Sequence, residues 1–146
     1  MFPNGYLTDF VKLTKVKDHS TADTTAVNSD GVDMTGYDAV LFLTSFGTAN
    51  ANNTAEIAQS DDDGSTDAYS DLTGTQVASG TSDEDVWIDL QRPRKKWVRL
   101  EVARGTSSTL ESIWAIQYKA RAVAVDNTIS GTIVGEQHHS PAEGAA

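Results

Sequence analysis

Apolar and polar residues alternate most regularly between Asp85 and Tyr118. Two alternating runs, Val86–Leu90 and Trp97–Arg104, are joined by a short cationic turn, Gln91–Lys96. A third apolar run, Ile113–Tyr118, follows Gly105–Thr109. In the second run Val98, Leu100 and Val102 fall on one face, while Arg99, Glu101 and Arg104 break the other. Alternation with a period of two marks a half-buried strand. The three runs predict an antiparallel meander, with the rest of the chain supplying a covering sheet.

Upstream, Asp38–Phe46 is the most apolar run of the first half. Its β-branched and aromatic content favours a strand, and its near-continuous apolarity a central one. Thr54–Ser60 reads as a short strand, turned by Asp61–Gly64 and returned by Ala68–Leu72. Acid followed by glycine is a hairpin signal, because glycine tolerates the positive φ such turns require. Residues 18–36 read as loop or edge strand, with Val32 and Met34 alternating about Asp33 to cap the core. Residues 1–17 fit a strand or an amphipathic turn equally, and Thr73–Glu84 reads as a polar connection. About eight short β segments and no long helical pattern predict an all-β protein: a single β-sandwich of jelly-roll or Greek-key type. Residues 1–125 form the sandwich; residues 126–146, small, polar and glycine-bearing, form an extended C-terminal arm. The arm has too little apolar surface to offset the entropy of ordering it alone, so it is expected to order against a partner chain.

Composition narrows the chemistry. The chain has 146 residues, one ordinary domain, and no cysteine, which excludes a disulfide scaffold, a thiolate zinc site and a cysteine nucleophile. No apolar run approaches the roughly 18–20 residues of a membrane span. The first residues lack a signal-peptide pattern, so synthesis in the cytoplasm is expected. Net charge is −10, and residues 1–85 hold 15 acids against 3 bases. That balance argues against nucleic acid as a direct partner, since phosphate binding needs a basic face. It suits solubility, and it also leaves open a contact between acidic and basic parts of the protein.

Candidate chemical groups are sparse. Asp61, Asp62 and Asp63, with Asp67, do not follow the ligand spacing of an EF-hand, which leaves a hairpin turn or a looser calcium loop. His138 and His139 sit beside Glu136 in the arm, a poor frame for the three rigid ligands of a catalytic zinc. No serine motif or distinctive carboxylate pair signals a hydrolase, so neither a catalytic residue nor a cofactor is expected. Arg92, Arg94, Lys95 and Lys96 around Pro93 form the one basic cluster. They read either as a contact for an acidic protein surface or as a charged hairpin end that resists edge-to-edge aggregation. Trp87 and Trp97 lie off the main apolar face on simple alternation, which hints at a second buried surface: a subunit interface or a sheet covered on both sides.

Several segments resemble, in order, the small decoration or cement proteins of tailed bacteriophages, notably the jelly-roll podovirus type. They are Gly36–Thr48, Gln59–Thr75, Ile88–Arg104, Ile113–Arg121 and Ser140–Gly144, spanning roughly residues 36–144. The segment RPRKKWVR and the terminal SPAEG, with Pro141, are the most specific parts. The resemblance implies a non-enzymatic virion protein on the outer capsid surface. Such a protein bridges neighbouring major capsid subunits and acts as a dimer or trimer. Arg92, Arg94, Lys95, Lys96, Trp97, His138, His139 and Pro141 are the candidate contacts with capsid or partner subunit. The competing class is a carbohydrate-binding sandwich using Trp87, Trp97, Trp114 or Tyr69.

Overall fold

The computed structural model describes residues 4–127 and 133–145, so residues 128–132 and 146 of the expected arm lie outside the described residues. After a 3-10 turn at Leu7–Asp9, twelve short strands follow: β1 (Lys12–Lys17), β2 (Ser20–Asp23), β3 (Val27–Asn28), β4 (Val32–Asp33), β5 (Tyr37–Phe46), β6 (Asn53–Ser60), β7 (Ser70–Asp71), β8 (Val77–Ser79), β9 (Glu84–Gln91), β10 (Trp97–Ala103), β11 (Ser108–Leu110) and β12 (Ile113–Ala120). Four pairs of these are single tracks with a break. β1 and β2 run along β12 and β11, β3 and β4 share one side of β10, and β7 and β8 share the far side of β6. β11 and β12 both flank β5, on the side opposite β9.

The result is two four-track antiparallel sheets. The first runs β1/β2, β11/β12, β5, β9; the second runs β3/β4, β10, β6, β7/β8. Successive tracks cross from one sheet to the other, except at the β6–β7 return. That connectivity is the eight-stranded jelly roll, a β-sandwich.

The expected meander does not form. β9 pairs with β5, β10 with β6 in the opposite sheet, and β12 with β5 on its other side. The local pattern of each run is a strand as expected, but alternation records only that one face is buried. It does not record which strand lies alongside. Two segments not read as strands also carry short ones. Ser108–Leu110 continues β12, and Val77–Ser79 completes an edge of the second sheet.

The core lies between the sheets. Val40, Phe42 and Phe46 of β5, with Val86 and Ile88 of β9 and Ile113 and Ala115 of β12, face Ile57 of β6 and Val98, Leu100 and Val102 of β10. Val32 and Met34 are buried at its margin, as their alternation predicts. Arg104 was expected on the polar face, but it shares the parity of Val102 and is buried. Its guanidinium donates to backbone: Nε to the Thr25 carbonyl at 2.7 Å, and Nη1 to those of Thr21 and Ser108 at 2.6 and 3.0 Å. A buried cation is tolerable when its donors are met by carbonyl dipoles.

Candidate functional site

Two surfaces stand out, a basic end and an apolar face. At one end of the sandwich lie the β4–β5 turn, the residue 61–69 loop, the β9–β10 turn and the segment after β12. The basic turn is built by a reversal at Arg92, whose φ is 53° and whose N–H donates to the Asp38 carbonyl at 2.7 Å. Pro93 then fixes the next φ and removes a donor.

The acidic loop and the basic turn face each other. Lys95 Nζ lies 2.5 Å from Asp67 Oδ2 and 3.5 Å from Asp61 Oδ2. Lys96 Nζ lies 3.4 Å from Asp33 Oδ2 and 5.6 Å from the centre of the Trp97 ring. Arg121 Nη2 lies 2.7 Å from Asp38 Oδ1. The sequence therefore places opposite charges together within one chain. Among the described residues Arg92 and Arg94 have no carboxylate partner, and both are exposed. A groove of about 530 Å³ opens between this turn and β5, lined by Tyr37, Asp38, Arg92, Pro93, Lys96 and Arg121 among others.

The three aspartates are committed to holding their own loop. Asp62 accepts the N–H groups of Ser65, Thr66 and Asp67 at 2.8–3.0 Å, and the Thr66 hydroxyl. The Thr66 hydroxyl first, then the backbone donors, pull its carboxyl down to about 2. The Lys95 ammonium holds Asp67 below the usual carboxylate range. Asp63 accepts from the Tyr69 hydroxyl at 2.5 Å. Burial, and then that bond to Asp63, pushes the Tyr69 hydroxyl well above its ordinary value. Among the described residues no three histidine or acidic side chains gather as metal ligands.

The same loop roofs the outer face of the second sheet. The Ser60 hydroxyl donates to the Asp67 carbonyl at 2.6 Å and accepts from Asp62 and Gly64. The Tyr69 ring lies under Arg99 of β10, with the guanidinium carbon 4.0 Å from its centre. Ala58 and Ser60 point outward from β6 yet are fully buried beneath this cover. Of the remaining outer residues on β6 and β10, Thr54, Glu56, Arg99 and Glu101 are polar, Ala103 is small and Trp97 is half-buried.

The outer face of the first sheet is different. Leu13, Ile116 and Leu41 form one cross-strand rung; Trp114, Leu43 and Trp87 form the next. No loop of the described residues roofs it. Leu43 is 38% and Trp87 61% exposed. Thus Trp87 and Trp97 do not share a second surface. Trp87 lies on the open face of the first sheet, and Trp97 is half-buried on the second. The sequence signal for this face was the apolarity of β5 and β12 at both parities, where a strand with one wet face would show polar residues.

The arm residues sit near the start of the chain. The Asn127 amide donates to the Thr8 and Val11 carbonyls at 2.8 and 2.7 Å and accepts the Leu13 N–H at 2.9 Å. Gln137 Nε2 donates to the Thr8 hydroxyl at 2.7 Å. The His139 ring lies 5.4 Å from the Tyr6 ring, His138 pairs with Glu136 at 3.2 Å, and Pro141 is exposed. Because β1 begins and β12 ends at the basic end, these contacts hold residues 127 and 137 on the same side of the molecule as the RPRKK turn.

Among the described residues no helix is long and apolar enough to cross a membrane. No family model matches the chain, and no curated protein matches it. Among solved structures it is similar to a chain of the Bacillus endospore appendages, described as a novel family of disulfide-linked pili, with 13% identity, 81% of this chain and 94% of that chain covered, and a TM-score of 0.49.

Proposed function

We propose that the protein is a non-enzymatic virion component that binds the outer surface of a phage capsid and bridges neighbouring major capsid subunits. The observation that carries this reading joins the resemblance to the geometry. The RPRKK turn, one of the two segments most specific to the decoration proteins, lies at the end of a jelly roll near which Asn127 and Gln137, on the way to the other, SPAEG, are bound. At that end Lys95 and Lys96 are held by internal carboxylates, while Arg92 and Arg94 project as exposed cations. Exposed arginines recognise carboxylates in planar, two-pronged fashion, which suits an acidic protein surface. Repetition over a lattice lets each copy bind weakly while the shell as a whole is stabilised.

The test is co-sedimentation of the purified protein with expanded, undecorated capsids, against procapsids as control. Saturable binding to expanded shells, weakened by Arg92→Glu with Arg94→Glu and by added salt, is expected. Absence of binding to either shell overturns the reading. The competing class, carbohydrate binding, is favoured by one feature: the open Trp87 ring lies between Asp85 and Asp89 on its strand. A glycan array separates the two.

A further inference from the structure

The two outer faces of the sandwich differ in a way that solvent alone does not explain. One is mostly polar and is roofed in part by the chain's own 61–69 loop. The other, on the first sheet, is apolar, and no loop of the described residues crosses its centre. We propose that this apolar face is a self-association surface, closed by the same face of a second copy of the chain about a two-fold axis. The axis runs parallel to the strands, between β12 and β5. The proposal stands apart from the capsid reading and needs no capsid.

Charge selects the occupant and the axis. On the β1 edge of the face, Lys15 shares the outward parity of Leu13 and pairs with the outward Trp114, before the strand is interrupted by a bulge. On the β9 edge, Asp85 and Asp89 share the outward parity of Trp87, opposite the buried Val86 and Ile88. The face is thus apolar at its centre, with the Lys15 cation on one edge and the Asp85 and Asp89 carboxylates on the other. Rotation about an axis parallel to the strands lays the β1 edge of one copy over the β9 edge of the other. Lysine then meets aspartate on both sides of the interface, and Lys15 comes over the exposed Trp87 ring. An axis across the strands would lay lysine over lysine and aspartate over aspartate. An isologous contact requires one patch to complement itself, and this patch does so in only the first arrangement. The bond between Lys15 and the exposed Asp18 at 2.6 Å is a surface pair of small worth and does not hold the lysine back.

Size is sufficient. Four tracks about 4.8 Å apart and about eight residues long give a face of roughly 500 Å² per copy, or about 1,000 Å² for two. That reaches the lower bound of specific interfaces, about 1,000 Å². An adjoining apolar groove of about 760 Å³, lined by Leu7, Phe10, Leu13, Ile116, Tyr118 and Val123 among others, extends the same surface past the Leu13 rung. Leu43 and Trp114 lie at the centre, where hot-spot residues concentrate.

Sedimentation equilibrium of the purified full chain, without capsids, tests the proposal. The expected result is a dimer of 15.6 kDa chains in reversible exchange. Leu43→Asp should weaken it at least about tenfold, with the far-UV spectrum unchanged. Lys15→Glu alone and Asp85→Lys alone should each weaken it about threefold, and the two together should restore it. A chain that stays monomeric at millimolar concentration overturns the proposal, as does a trimer or a dimer indifferent to Leu43→Asp. Failure of the double reversal to restore the dimer overturns the axis.

Discussion

Ser29 and Thr75 occupy equivalent positions on opposite edges of one rung of the second sheet. Leu100 of β10 and Ile57 of β6 pair across the centre of that rung, and their N–H groups point away from each other. The Leu100 N–H donates to the Ser29 hydroxyl at 3.0 Å; the Ile57 N–H donates to the Thr75 hydroxyl at 3.1 Å. Both edge tracks are broken here, between β3 and β4 and between β7 and β8. At each break a side-chain oxygen stands in for the missing ladder carbonyl.

Replacing these hydroxyls should expose the cost of an unmet backbone donor. Ser29 is buried, so Ser29→Ala should destabilise by about 1–3 kcal/mol. Thr75 is half-buried and water can reach the freed N–H, so Thr75→Val should cost about 1 kcal/mol. The two sites are about 14 Å apart, three strand spacings, and their effects should add. Urea unfolding measures both; an unchanged midpoint for Ser29→Ala would remove the bond from the account.

Arg104 ties β2, the β2–β3 turn and β11 through three carbonyls. Arg104→Met keeps much of the apolar stem but leaves those acceptors unpaired, and should cost roughly 2–4 kcal/mol. Arg104→Lys should recover little, because an ammonium lacks the fork that reaches Thr25 on one side and Thr21 and Ser108 on the other. Thermal melting of the two variants checks this. A lysine variant as stable as the parent would show that charge, and not geometry, holds the corner.

Gly105 needs its missing side chain for space. A Cβ there would fall 2.6 Å from both the Cβ and the carbonyl oxygen of Asn52, and 2.7 Å from the Ala51 carbonyl oxygen. Backbone atoms cannot swing aside, so Gly105→Ala should destabilise by about 1–3 kcal/mol. The same shift should disturb the buried Asn53 amide oxygen, which accepts the Gly105 N–H at 3.2 Å and the Ser108 hydroxyl at 3.1 Å. Amide exchange at Gly105 should quicken; unchanged protection would contradict the close approach.

Acid should open the 61–69 loop before the sandwich. The Asp62 carboxyl is held at about 2, below its unfolded value near 4. A lowered folded pKa gives stability that is present above the unfolded value and is lost as pH falls through the folded one. The loss therefore runs from about pH 4 to about pH 2. Carbon-detected titration should find a midpoint near 2 for Asp62, with the Ser65, Thr66 and Asp67 amides shifting together. A midpoint at the ordinary carboxylate value would mean the loop is held by something else.

The strands were largely legible in the sequence because burial on one face imposes a period of two. Val98, Leu100 and Val102 announced β10, and the both-parity apolarity of β5 announced a central strand. Pairing was not legible. The β9, β10 and β12 runs are consecutive in sequence and alternate between sheets, a choice made by packing across the core. Arg104 was misplaced because a charge was read as an outward residue. Its partners, the carbonyls of Thr21, Thr25 and Ser108, are contributed by backbone and leave no mark in the residue pattern. The pairing of Lys95 with Asp61 and Asp67 was not legible either. It depends on a loop that folds over the sheet.

The place of β12 has a consequence for the order of events during synthesis. The final track is also an interior one, lying between β1 and β5. Until residue 120 has left the ribosome, the first sheet lacks a strand that two others need on their flanks. β1 then has no neighbour in this sheet, and β5 has only β9. Phe42 and Phe46 cannot be enclosed by a partial sandwich. The nascent chain must therefore carry its most apolar segment unsheltered until the last track of the sandwich is made, and then close in one concerted step.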